Sequence, residues 1–186
     1  MTQSKIISQP LNKISSDSLR FYHIIGAIFV GIVGTLAHFA YKFSGNNIFV
    51  GFLTPINESI WEHTKLLFFP MLFYGLYMVK KLKVEYPCIL SGWLCGMIVG
   101  VFFIPAAYYT YSGILGYHLA VIDILIFFLS VLLAFYLPYR LTLSCNLKDY
   151  ATILCVLTGV LILCYIVFTL SPPELNVFQD PSLSEM

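Results

Sequence analysis

The chain reads as an all-α protein, a polytopic bundle of transmembrane helices, and three observations predict it. Hydrophobic residues fill 59% of its 186 positions and charged residues only 10%, against about 25% charged in soluble domains. Apolar runs of about 20 residues recur along it, the length a helix needs to cross the ~30 Å hydrocarbon core of a bilayer. Lysine and arginine, ten in all, gather in alternate connecting segments, as the positive-inside rule asks of cytoplasmic loops.

The formal net charge of +1 excludes the basic field that nucleic acid would need. Cys88, Cys95, Cys145, Cys155 and Cys164 form no CxxC or CxxH pair. Most lie in apolar runs, where a thiol serves as a small apolar side chain. Residues 1–20, with Lys5, Lys13 and Arg20, are too polar for a cleaved signal peptide and read as a cytoplasmic tail.

The first span is 21–43, with Gly26, Gly31 and Gly34 able to admit a neighbouring backbone. It carries His38 one turn before Lys42. Ser44-Gly45-Asn46-Asn47 has turn composition. The apolar stretch 48–53 is too short to cross and belongs at the interface. Thr54 followed by Pro55 offers a capping hydroxyl and a proline at the first helical position. The second span is therefore read as 55–79, with Pro70 as a kink point. Lys80, Lys81 and Lys83 end it, and Pro87 follows.

The third span, 88–107, bears Gly92, Gly96 and Gly100, a small-residue stripe that should seat it against a neighbour in its own chain. Tyr108, Tyr109 and Tyr111 suit an interfacial aromatic belt. The fourth span, 114–137, contains His118 and Asp123, whereas the fifth, 150–170, is uncharged and should face lipid over much of its surface. Residues 171–186 form an extracytoplasmic tail. Five spans with the N-terminus inside and the C-terminus outside leave only Lys42 and Lys65 on the outer side, against eight basic residues on the inner. No internal repeat supports an inverted-repeat transporter.

On this topology the ionisable residues of the spans share one side. His38 lies near the outer end of the first span, and Asn57, Glu58, Ser59, Glu62, His63 and Lys65 open the second. His118 and Asp123 lie in the outer half of the fourth, with Asp123 on the order of 13 Å in from Ile114 at helical rise. Glu58, Glu62 and Lys65 follow the spacing of one helix face. Pairing among these groups for stability alone is the bland alternative. Interhelical polar contacts contribute only ~0.6 kcal/mol on average, while a charge at the bilayer centre costs ~2.5–3.5 kcal/mol.

Three chemistries fit the set. His38, His63, His118 and Asp123 are candidate ligands for Zn²⁺ or another divalent metal, with Glu58 or Glu62 as general base. Asp123 is also a candidate catalytic acid or base, because His118 and Asp123 have the H-x4-D form of acyl-transfer enzymes. Asn57, Ser59 and Lys65 would complete the pocket. Alternatively, the same cavity relays protons or ions across the membrane, which in a five-span chain would call for an oligomer.

The block Pro55-Ile56-Asn57-Glu58-Ser59-Ile60-Trp61-Glu62-His63-Thr64-Lys65 resembles a family of small multi-spanning bacterial membrane proteins of unknown function, found mainly in Gram-positive anaerobes. The likeness extends to Gly34-Thr35-Leu36-Ala37-His38-Phe39 and to Phe168-Thr169-Leu170-Ser171-Pro172-Pro173. It implies a bacterial cytoplasmic membrane and no particular activity. In type, the chain is also similar to the membrane hydrolases that include alkaline ceramidases, although their HxxxH pair and seven spans are missing. The expectation is a metal-dependent or acid–base membrane enzyme acting on a lipid-like substrate, with the bilayer as its partner.

Overall fold

Small residues decide where the long helices touch. The computed structural model describes residues 4–180, and their side chains from residue 17 onward. These form helices α1 (Ser4–Phe43), α2 (Ile48–Gly51), α3 (Ile60–Leu82), α4 (Ile89–Leu115), α5 (Ala120–Ser144) and α6 (Ala151–Leu170), with 3-10 turns at Lys148–Tyr150 and Asn176–Phe178. No strand occurs among the described residues. Four stretches are long and apolar enough to cross a membrane: Asp17–Phe43, Ile89–Leu115, Ala120–Ser144 and Lys148–Leu170.

The fifth long helix, α3, is the most deeply buried, although Phe73, Leu76 and Tyr77 of its second half face outward. Leu67, Phe68, Met71 and Met78 are fully buried along it, and it packs against α1 and α4. A Cβ at Gly26 would run into Tyr74, and one at Gly34 into the Leu66 carbonyl, so these glycines let α1 lie directly on α3. Between α4 and α5, the most intimate pair, Gly92 meets Thr142, Gly96 meets Pro138 and Gly100 meets Ala134. The glycine stripe thus packs inside its own chain, as its spacing predicts. Helix α6 rests mainly on α4 and turns Ile153, Val156, Val160, Leu163 and Val167 outward. Water would penalise such a surface and hydrocarbon would not.

Helix boundaries depart from the sequence reading in several places, α5 among them, which runs on through Pro138 and Arg140 to Ser144 rather than ending at 137. The polar residues from Ser4 onward are already helical, although the side chains of Lys5 and Lys13, and residues 181–186 of the tail, lie outside the described residues. Helix α3 starts at Ile60 rather than near Pro55, because Ser59 caps it. Helix α4 runs on through the tyrosines to Leu115 and stops at Gly116, whose φ of 80° suits glycine. Asp123 therefore sits in the first turn of α5, at the mouth of the bundle rather than deep within it.

Two side chains take places that the sequence pattern does not mark. His23 is 4% exposed and packed edge-on against Trp93, Phe135 and Tyr139. Cys88 and Cys145, at the start of α4 and the end of α5, are paired face to face, with Cα atoms 5.3 Å apart, a separation that a disulfide can bridge. Cys95, Cys155 and Cys164 are free thiols.

Candidate functional site

The residues 54–65 fold into a loop and then a helix, and that division separates two groups of polar side chains. Asn57 Oδ1 accepts the Ser59 N–H at 3.0 Å, and Ser59 Oγ accepts the Glu62 N–H at 3.4 Å. Asn57 and Ser59 are thus spent on capping. Since the helix begins after Glu58, Glu58 and Glu62 do not share a helix face. They point to different places.

Glu62 turns inward. Lys65 Nζ donates to Glu62 Oε2 at 2.6 Å, to Thr169 Oγ1 at 2.6 Å and to the Gly51 carbonyl at 2.9 Å. These three bonds use every donor of the ammonium group. Glu62 Oε2 also accepts the Ile56 N–H at 3.0 Å. Lys65 is 0% and Glu62 3% exposed, and beside them Thr64 and Tyr165 share a hydrogen bond of 2.7 Å. The knot ties α2, α3 and α6 together. It leaves Glu62, a candidate general base by sequence, engaged in a saturated buried pair.

Glu58 turns the other way, toward α1. His63 Nε2 lies 3.4 Å and His38 Nε2 3.8 Å from Glu58 Oε2, while Lys42 Nζ lies 3.8 Å from Oε1. The two imidazole centroids are 5.2 Å apart. One ligand atom from each of His38, Glu58 and His63 falls within 4.8 Å of the others, and all three side chains are half-buried. His63 Nδ1 is 2.9 Å from the Ser59 carbonyl. A proton on Nδ1 donates to that oxygen and one on Nε2 donates to Glu58; loss of the second would free the Nε2 lone pair for a cation while Ser59 still holds the ring, the outer-partner arrangement common for ligating histidines. In the loop ahead of α3, the hydrogen bond from His63 holds the Glu58 carboxyl below the usual carboxylate range, against the opposing effect of its partial burial. Two imidazoles and one carboxylate form a donor set suited to Zn²⁺ or Fe²⁺, with coordination positions left over.

His118 and Asp123 form a third group nearby. His118 Nδ1 lies 3.3 Å from Asp123 Oδ2, and Tyr111 donates its hydroxyl proton to Asp123 Oδ1. Tyr111 in turn accepts the Leu119 N–H at 3.1 Å. His118 precedes α5, so it meets Asp123 directly instead of projecting from another side of the same helix. Asp123 does not join the His38–Glu58–His63 trio.

Tyr111, Thr169 and Asp180 were not singled out by sequence. Tyr111 looks like a belt tyrosine, and Thr169 is neutral inside an apolar run. Asp180 Oδ2 accepts the Glu58 N–H at 3.2 Å; it is reached through a tail whose Phe178 packs on Trp61 and Phe168. No local pattern marks that distant partner.

No curated protein and no solved structure matches the chain. The model of a family of unknown function, DUF6512, matches residues 11–184, which include every side chain of the three polar groups. The chain belongs to that family.

Proposed function

We propose that the protein is a metal-dependent enzyme of a bacterial cytoplasmic membrane, in which His38, Glu58 and His63 hold a divalent cation and a lipid-like molecule is the substrate. The observation that carries this reading is the convergence of both Nε2 atoms on one carboxylate oxygen, in a half-buried recess that saturates none of them. Zn²⁺ bound there would polarise a carbonyl or phosphoryl oxygen and lower the pKa of a water. Around it, Ser59 would fix the His63 ring through Nδ1, and the His118–Asp123 pair would offer a proton acceptor or donor on the α5 side. Helices α1, α3, α4, α5 and α6 would make five spans, with α3 the most deeply buried of them. The N-terminus inside and the site outside agree with the distribution of lysine and arginine.

Purified protein loaded with zinc should release fatty acid or head group from vesicles of phosphatidylglycerol, phosphatidylethanolamine, diacylglycerol and ceramide, as read by mass spectrometry. Release should stop with chelator and with His63→Ala. A rate of release that neither chelator nor His63→Ala lowers would contradict the reading. Orientation has its own check, because the Cys88–Cys145 end would face a compartment that keeps thiols reduced. Maleimide labelling of intact and permeabilised cells should find that end cytoplasmic and its thiols reactive. A bridge that persists in cells would contradict the N-inside orientation.

A further inference from the structure

The three side chains of the recess do not stand on equal footing. His38 projects from α1 and His63 from the first turn of α3, so each is placed by its own helix. Glu58 stands in the loop ahead of α3. A group on a loop is held less firmly than one on a helix. Yet both imidazoles converge on Glu58 Oε2, at 3.4 Å and 3.8 Å, so the shape of the recess depends on its least anchored member.

Hydrogen bonds to the loop backbone supply what helical structure does not. The Ile56 N–H donates to Glu62 Oε2 and the Ser59 N–H to Asn57 Oδ1, each at 3.0 Å. Both acceptors belong to the same short block of sequence. Between them the Glu58 N–H donates to Asp180 Oδ2 at 3.2 Å, across 122 positions. That bond acts at the backbone of Glu58 itself, and a charged acceptor makes it stronger than a neutral one would.

The tail beyond α6 is folded to deliver this acceptor. Phe178 packs on Trp61 with ring centroids 5.2 Å apart and on Phe168 at 5.0 Å, and Val177 packs against the core. Trp61 lies in the first turn of α3, so the tail is anchored on the helix end that the loop leads into. The 3-10 turn Asn176–Phe178 is closed by the Gln179 N–H on the Asn176 carbonyl at 3.2 Å. Val177, Phe178 and Asp180 are half-buried, while Asn176 and Gln179 are exposed. A tail that served packing alone would be held by Val177 and Phe178 and would need no acceptor at Asp180.

We infer that Asp180 is a positioning residue for Glu58: the C-terminal tail clasps the loop ahead of α3 and holds the carboxylate against His38 and His63. The cation affinity of the recess then depends on a segment that supplies none of its three ligand atoms. This dependence rests on the metal reading above, whereas the clasp itself does not.

The full chain in detergent is read in two ways. Mass spectrometry follows amide exchange of residues 56–60 in metal-free protein, and competition with a fluorescent chelator gives zinc affinity. Asp180→Ala should speed exchange several-fold and weaken zinc binding about tenfold, the lower end of what outer partners of a ligand contribute. Asp180→Asn keeps an oxygen acceptor and should restore most of both. Phe178→Leu, which keeps an apolar side chain and loses the ring, should move both in the same direction by less, and it stands in should Asp180→Ala fail to fold. Unchanged exchange in Asp180→Ala, or faster exchange with undiminished zinc affinity, would overturn the inference. A parent protein that binds no zinc contradicts the metal enzyme and leaves exchange to decide the clasp. Faster exchange reversed by Asp180→Asn then upholds it, and equal exchange overturns it.

Discussion

Glu58 and Glu62 stand four positions apart in one short block, and their surroundings are opposites. Glu62 is buried, meets a cation at 2.6 Å and has its Oε2 taken by Lys65 and a backbone N–H. Glu58 is 43% exposed and faces two imidazoles and a lysine at 3.4–3.8 Å, longer than a good charged hydrogen bond. Close, saturated contacts hold helices together. Loose, convergent ones leave room for an atom between them. The difference separates the groups that build the site from the groups available for chemistry.

The largest expected effect falls on the saturated side. Lys65→Met strips Glu62 of its partner in a dry interior and should destabilise the fold by about 3–5 kcal/mol, measured by denaturant unfolding in detergent. Glu62→Leu combined with Lys65→Met should recover most of that loss, because the remaining cost is that of an uncompensated charge. If the double variant were no better than the single one, the knot would be more than an ion pair.

On the loose side the sign of the comparison reverses. His38→Ala and His63→Ala should each change stability of the metal-free protein by no more than about 1 kcal/mol, the scale of partly exposed pairs. Each should weaken zinc binding by more than the about 10–100-fold that outer partners of a ligand contribute, read by competition with a fluorescent chelator. Zinc affinity should also fall with acidity, as protons compete for the two imidazoles. A flat profile from pH 5 to 8 would remove histidine from the ligand set.

Asp123→Asn is the smallest change. Asparagine retains a partner for Tyr111 and gives up a charge in the first turn of α5, worth about 0.3–1 kcal/mol. Zinc affinity should hold. A loss as large as that of His63→Ala would move Asp123 into the coordination shell.

What the sequence made legible follows from what hydropathy and spacing can carry. The apolar runs locate α1, α4, α5 and α6, and the Gly92, Gly96 and Gly100 stripe locates the α4–α5 seam. That His38, the 57–65 block, His118 and Asp123 end at one end of the bundle followed from the alternation of helices. The boundaries were less legible. Thr54-Pro55 and Ser59-x-x-Glu62 both match helix starts, and the second, a capping-box pattern, is the one used. Choosing the first put Glu58 and Glu62 on one face. Apolar Ile114 and Leu115 hid the end of α4, which only Gly116 marks, and so Asp123 was read too deep. Thr169 and the Cys88–Cys145 pair were invisible for a common reason, since each takes its role from a partner far away in the chain.

The central claim is that His38, Glu58 and His63 hold one metal ion. X-ray absorption at the zinc edge, on purified protein reconstituted with one equivalent of zinc, tests it most directly. The account predicts a first shell of nitrogen and oxygen with the outer-shell scattering of two imidazoles, which His38→Ala reduces to one. Zinc with no imidazole scattering, or a protein that retains no zinc while its three ligands are intact, would contradict it.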